Sequence, residues 1–108
     1  MGLDYMKERF GYESLEMECG FALYSIGAPV LLLNDMYIKP EFRALGKGTE
    51  LLDQLVKIAT DRGCDKIMAQ VWTNDRNASA TLNASFSRGF LVSRAENGYI
   101  VITKKVGA

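Results

Sequence analysis

The chain contains no histidine. That absence removes histidine-based catalytic triads, the usual general base near neutral pH and the commonest zinc ligand. Its two cysteines, Cys19 and Cys64, have neither the CxxC spacing of a redox pair nor a metal-ligand pattern. No metal site is therefore expected, and both thiols read as free in a reducing, cytoplasmic setting. Net charge is missing too: thirteen basic and thirteen acidic side chains cancel, which argues against a nucleic-acid binder working through bulk charge. No apolar run is long enough to span a bilayer and no signal-peptide pattern occurs, so no membrane partner is expected. Repeats, low-complexity tracts and Pro/Gly/Ser linkers are absent as well. What remains is 108 residues, 48% hydrophobic and 24% charged, the size and composition of one globular domain over 1–108.

Hydrophobic periodicity divides that domain. Leu15, Met17, Cys19, Phe21 and Leu23 alternate with Glu16, Glu18, Gly20 and Ala22, the period of a half-buried strand. Gly27-Ala28-Pro29 makes a turn, and Val30 to Ile38 returns as a hairpin partner. Leu51, Leu52, Leu55, Val56, Ile58 and Ala59 follow helical spacing, and Gly63 stands where a C′ glycine is expected. Lys66 to Trp72 reads as a short buried strand, parallel to the strand before the helix through a right-handed crossover. Ala78, Leu82 and Phe86 mark a second helix, with Asn77 placed to cap it and Gly89 to stop it. Phe90–Arg94 and Tyr99–Lys105 form a last hairpin around Asn97-Gly98. With a short helix over Asp4–Phe10, the expected order is β-β-α-β-α-β-β in a mixed α/β sheet.

The most informative residues are Arg43-Ala44-Leu45-Gly46-Lys47-Gly48-Thr49, a basic glycine-containing turn between strand and helix. Glycines let the backbone fold tightly and approach a ligand. The unpaired amides and positive dipole end of the following helix then point at an anion, and a ligand carrying a diphosphate is expected. Pro40 ends the preceding strand. This is no nucleotide-triphosphatase loop: a glycine separates Lys47 from Thr49, and the upstream glycine of a Walker sequence is lacking. Lys47 reads equally well as an exposed turn lysine. Arg43 stays charged and so braces the loop or meets phosphate rather than moving protons.

Ile38 through Thr49 resembles the acetyl-CoA signature of the GNAT superfamily of N-acetyltransferases, in which a strand ending V-x-P is followed by an aromatic residue and Q/R-x-x-G-x-G/A. Asn77 through Phe90 resembles a later family element, where an asparagine and a small-residue helix run up to Gly-Phe. The resemblance implies a single-domain GNAT-like fold with acetyl-CoA as co-substrate and no metal. It implies that Met36, Tyr37 and Ile38 bind the pantetheine arm and acetyl carbonyl through backbone groups, at a bulge that splays their strand from Lys66–Trp72. Ala44 to Thr49 would cradle the pyrophosphate; Asn74 and Asn77 compete for the cofactor-facing role, and Asn77 is favoured because it begins the helix. The implied activity is acetyl transfer to a primary amine (a protein terminus, a lysine or a small amine) by direct attack in a ternary complex.

Two departures bear on that activity. Many members carry a tyrosine four residues before Gly-Phe to protonate the leaving thiolate. Ser85 occupies that position, leaving solvent or another phenol, Tyr37 or Tyr24, to serve. Where some members place a glutamate as base, this chain has Gln70. Asp35 is then the carboxylate candidate for a base, since it lies in an otherwise uncharged run near the expected acetyl position and burial would raise its pKa; the alternative is a solvent-facing strand carboxylate. Complete members also have a strand and two helices before the central hairpin, which wall the acceptor site. Fewer residues precede the first strand here. Three readings stay open: an open acceptor groove, a groove completed by a partner such as a second copy, or an acyl-CoA-binding module that does not transfer. The acceptor itself is not identified.

Overall fold

The computed structural model describes residues 11–43 and 46–107. The short helix anticipated at Asp4–Phe10 and the loop residues Ala44 and Leu45 lie outside them. Among the described residues six strands and two helices follow one another: β1 (Glu13–Met17), β2 (Gly20–Gly27), β3 (Val30–Ile38), α1 (Lys47–Asp61), β4 (Lys66–Trp72), α2 (Ala78–Ser87), β5 (Leu91–Glu96) and β6 (Tyr99–Lys105). A single 3-10 turn, Pro40–Phe42, joins β3 to the loop before α1.

The mixed α/β class is as expected, with one strand more. The alternation from Leu15 to Leu23 is interrupted, and its two halves form separate strands, β1 and β2, that pair antiparallel. Gly20 explains the tight return. A side chain there would run into the backbone carbonyl of Tyr37 on β3, so only a glycine lets the strands come this close. The sheet order is β1-β2-β3-β4-β6-β5. All neighbours are antiparallel except β3 and β4, which are joined through α1 as the crossover rule requires.

Both helices contact β4, and they pack against each other. Leu31, Leu33 and Met36 of β3 join Ile67, Ala69 and Val71 of β4 in the core, and α1 adds Leu51, Leu52, Leu55 and Ala59. Each fully buried leucine contributes about 2 kcal/mol of transfer free energy. Arg62, just past α1, holds Glu13 through two bonds of 2.9 and 3.2 Å, and Arg88 meets Asp53 at 2.9 Å. Both pairs lie at the surface, where such bridges add roughly 0–1 kcal/mol. Gly63 and Gly89 end the two helices with φ of 80° and 86°, the left-handed stop expected from their positions.

One irregularity positions the site. Along β3, Leu33 lies opposite Tyr24 and Asp35 opposite Leu23, which leaves Asn34 as an extra residue. That is a β-bulge. The ladder between β3 and β4 runs only from Val30↔Lys66 to Leu33↔Ala69, so the strands part where the bulge begins. Beyond it, β3 keeps only β2 as a partner, and Gln70–Trp72 of β4 pair only with β6. The Asn34 amide donates to Ser25 Oγ and to the Leu32 carbonyl, each at 3.3 Å.

Candidate functional site

Two cavities meet where β3 and β4 separate. The first, about 530 Å³, lies between the end of β3, the start of α1 and one side of α2. Met36, Ile38, Phe42, Arg43 and Gly46 through Thr49 form one wall, and Asn77, Ala80, Thr81, Asn83 and Ala84 the other. The second, about 510 Å³, lies between the splayed strand ends, with Asn34, Asp35, Gln70, Trp72, Asp75 and Tyr12 among its walls. Met36, Asn77 and Thr81 border both, so the cavities adjoin at the opening made by the bulge.

Local chemistry shapes the first cavity. Gly46 is left-handed, with φ of 76°, and directly precedes α1. No side chain caps the helix among the described residues, so the first-turn amides are available to an anion. Thr49 Oγ1 donates to the Gly46 carbonyl at 2.5 Å, which tightens the turn without occupying those amides. Gly48 serves a different end: a Cβ there would come within 3.2 Å of the Ala84 Cβ, so its bareness allows α1 and α2 to approach. Arg43 braces the turn. Its Nε donates to the Ile38 carbonyl at 2.9 Å and its guanidinium lies 5.6 Å from the centre of the Tyr37 ring. The Lys47 ammonium pairs with Glu50 at 2.9 Å, and that bond raises the lysine pKa.

The second cavity is polar and acidic. Asp35 keeps more than a third of its surface accessible, yet surrounding protein desolvates its carboxyl enough to raise its pKa. The Met36 amide pulls the other way, and the nearby Asp75 charge raises it further. Asp75 itself accepts a 2.8 Å bond from the Asn77 backbone N–H, fixing the start of α2. Asn77 does not cap α2 with its side chain, although it occupies the capping position; it borders both cavities instead.

The acetyltransferase (GNAT) family model matches residues 9–86. The chain belongs to the GNAT acetyltransferase family. A human spermidine/spermine N(1)-acetyltransferase-like protein 1 is 32% identical over 91 residues, covering 78% of this chain and 12% of that protein. A bovine thialysine N-epsilon-acetyltransferase is 34% identical over 41 residues, covering 38% of this chain and 24% of the other. Among solved structures, the PaiA N-acetyltransferase of Thermoplasma acidophilum, in complex with coenzyme A, superposes with a TM-score of 0.70 at 26% identity, over 81% of this chain and 53% of its own. An acetyltransferase from Bacillus cereus has a TM-score of 0.73 at 17% identity, over 96% of this chain and 79% of the other, a likeness of fold. The chain spans 24% and 12% of the two curated relatives and about half of the PaiA enzyme.

Within the GNAT site, the sequence-derived residues are distributed unevenly. Met36, Ile38, Arg43, Gly46, Lys47, Gly48, Thr49 and Asn77 share the first cavity. Tyr37 lines neither cavity, and its ring stacks against Phe21 at 5.9 Å, leaving only its backbone near the site. Asp35 is in the second cavity. Ser85 is a correction. It is fully buried, lines neither cavity and has no hydrogen-bond partner for its hydroxyl among the described residues. Helix geometry explains the shift. Seven residues from Ala78 fall within about 20° of two full turns, whereas eight overshoot by about 80°. Ser85 thus faces the core, and Phe86, expected inside, is 45% exposed. Tyr24 offers no acid either. It is buried in the core, away from both cavities, with its pKa raised by desolvation and then by Glu13. The sequence reading missed Tyr12 and Asp75, which no local motif joins; Trp72, a candidate wall of an acceptor pocket, lines the second cavity. The small residues Ala80 and Ala84 were visible only as an alanine- and serine-rich helix.

Proposed function

We propose that this domain binds acetyl-CoA in the first cavity and transfers its acetyl group to a primary amine in the second, by direct attack in a ternary complex. The observation that carries the reading is the meeting of the two cavities at Met36, Asn77 and Thr81, where β3 leaves β4. The names of the relatives all denote N-acetyltransferases, and the coenzyme A complex supports the choice of co-substrate.

The residues fit that group. Uncapped first-turn amides after left-handed Gly46 suit a pyrophosphate. Met36, Ile38, Phe42 and Ala84 offer an apolar wall to a pantetheine arm, and backbone groups of β3 beyond the bulge, with no β4 partner, suit a thioester carbonyl. Fixed N–H donors that polarise this carbonyl stabilise the oxyanion formed during attack, and such preorganised donors are usually the main source of rate enhancement in acyl transfer. Asp35 takes the proton that the attacking nitrogen loses as the new C–N bond forms and the C–S bond breaks. Water returns a proton to the departing sulfur, because Ser85 is turned into the core and Tyr24 lies elsewhere.

The alternative, an acyl-CoA-binding module without transfer, draws on the lack of any phenol on the α2 wall of the first cavity. Release of free thiol from acetyl-CoA, measured with and without a panel of primary amines and amino-terminal peptides, decides between them. Amine-dependent thiol release is expected. Tight acetyl-CoA binding with no release for any amine would leave only the binding module.

A further inference from the structure

We propose that Asp75 makes the second cavity select amines carrying an additional positive charge, held between the Asp75 carboxylate and the Trp72 ring while the reacting nitrogen lies at Asp35. The proposal rests on the acetyl-transfer reading for what the cavity is for, and adds which amines it takes. Three features of the cavity support it.

First, among the described residues its charge is of one sign. Asp35 and Asp75 both line it, and among the described residues no lysine or arginine does so and no ion pair involves either carboxylate. In a chain whose total charge is zero, this is a local excess rather than a general property. The two carboxylates already sense each other, since the charge on Asp75 helps to raise the pKa of Asp35. A cation between them relieves that repulsion.

Second, the turn that carries Asp75 is fixed. Its N–H donates to the Trp72 carbonyl at 3.1 Å, the Thr73 N–H donates to Gly98 at 2.9 Å, and the Ala78 N–H donates to the Asp75 carbonyl at 3.1 Å. One Asp75 oxygen accepts from Asn77. A carboxylate offers about four acceptor sites, so this structural bond leaves capacity for an ammonium.

Third, an aromatic face stands beside it. Trp72 is 51% exposed and is held by Tyr99, with ring centroids 5.1 Å apart and planes tilted by 59°. About half of the indole stays open at the cavity wall. Beside a carboxylate it is a surface for a cation, which it attracts through its quadrupole.

The test compares 1,4-diaminobutane with butylamine, which presents the same reacting amine without the second charge. With acetyl-CoA, kcat/KM for the diamine is expected to exceed that for butylamine by at least about tenfold, the scale of one charge-assisted contact. In Asp75→Asn the ratio is expected to fall to within about threefold. Asparagine can still accept the Asn77 bond, so the turn survives while the charge is lost. Trp72→Leu should lower the ratio in the same direction without touching that turn. Calorimetric titration of both amines into the protein saturated with coenzyme A gives the same comparison without turnover. Preferential diamine binding that Asp75→Asn abolishes, with no thiol release, would refute transfer and uphold the selectivity. Equal turnover or equal binding of the two amines by the parent protein, or a ratio unchanged in Asp75→Asn, would overturn the proposal.

Discussion

Asp35 places stability and chemistry in opposition at a single residue. Desolvation and Asp75 raise its pKa, so the folded protein holds the proton more firmly than the unfolded chain does. Between the unfolded and folded pKa values the native state binds more protons, and stability falls as pH rises through that window. At neutral pH the ionised carboxylate is therefore a cost to folding, and below the ordinary carboxylate value of about 4 the cost disappears. Asp35→Asn is expected to raise the Tm at neutral pH and to leave it unchanged in strong acid. If Asp35 is the base, the same variant lowers kcat by about a hundredfold with acetyl-CoA affinity intact, and the loss narrows at high pH, where the amine is already deprotonated. A lower Tm with unaltered kcat would make Asp35 a structural residue. Its place near the strand opening was legible because one carboxylate stands out in an apolar run. Asp75 was not, since its meaning comes from strands that lie apart in sequence.

Elements were legible to the extent that they were local. The spacing of leucines in α1, its left-handed Gly46 and Gly63, and the β6 range Tyr99–Lys105 all follow from neighbours within a few residues. The division of β1 from β2 was not legible, because Glu18-Cys19 preserves the alternation while the backbone reverses. Helix α2 shows the same limit in another form. Reading Ala78, Leu82 and Phe86 as one stripe ignored the drift of an eight-residue step, which turned Phe86 outward and Ser85 inward. The buried Ser85 hydroxyl lacks a partner among the described residues, and a polar group in that state costs about 1–3 kcal/mol. Ser85→Ala should therefore stabilise the domain by about 1 kcal/mol in chemical denaturation, with acetyl-CoA affinity unchanged. Destabilisation, or weaker cofactor binding, would mean that the hydroxyl serves the site after all.

For the whole molecule, the decisive feature is a sheet that opens on one side of a bulge. Pairing from Val30 to Leu33 holds the centre together, and its end after Leu33 creates the junction of two cavities. The parallel crossover was legible from strand, helix and strand in succession. The place of β6 between β4 and β5 was not, since the final hairpin can meet the sheet through either of its strands. The glycine turn before α1 was legible as a candidate anion cradle because its amides come from consecutive residues. Everything proposed for this GNAT domain depends on that cradle. Calorimetric titration of acetyl-CoA into the parent, Gly46→Asp and Gly46→Asn tests it most directly. Among the described residues the closest neighbour to a Cβ added at position 46 would be Thr49 Oγ1 at 3.9 Å, and both side chains tolerate the left-handed backbone. The two variants therefore differ in charge at the mouth of the cradle. The account predicts saturable binding by the parent and at least about tenfold weaker binding by Gly46→Asp than by Gly46→Asn at low salt, with a gap that narrows as salt screens the charge. Equal affinities in the two variants, or no binding by the parent, would contradict it.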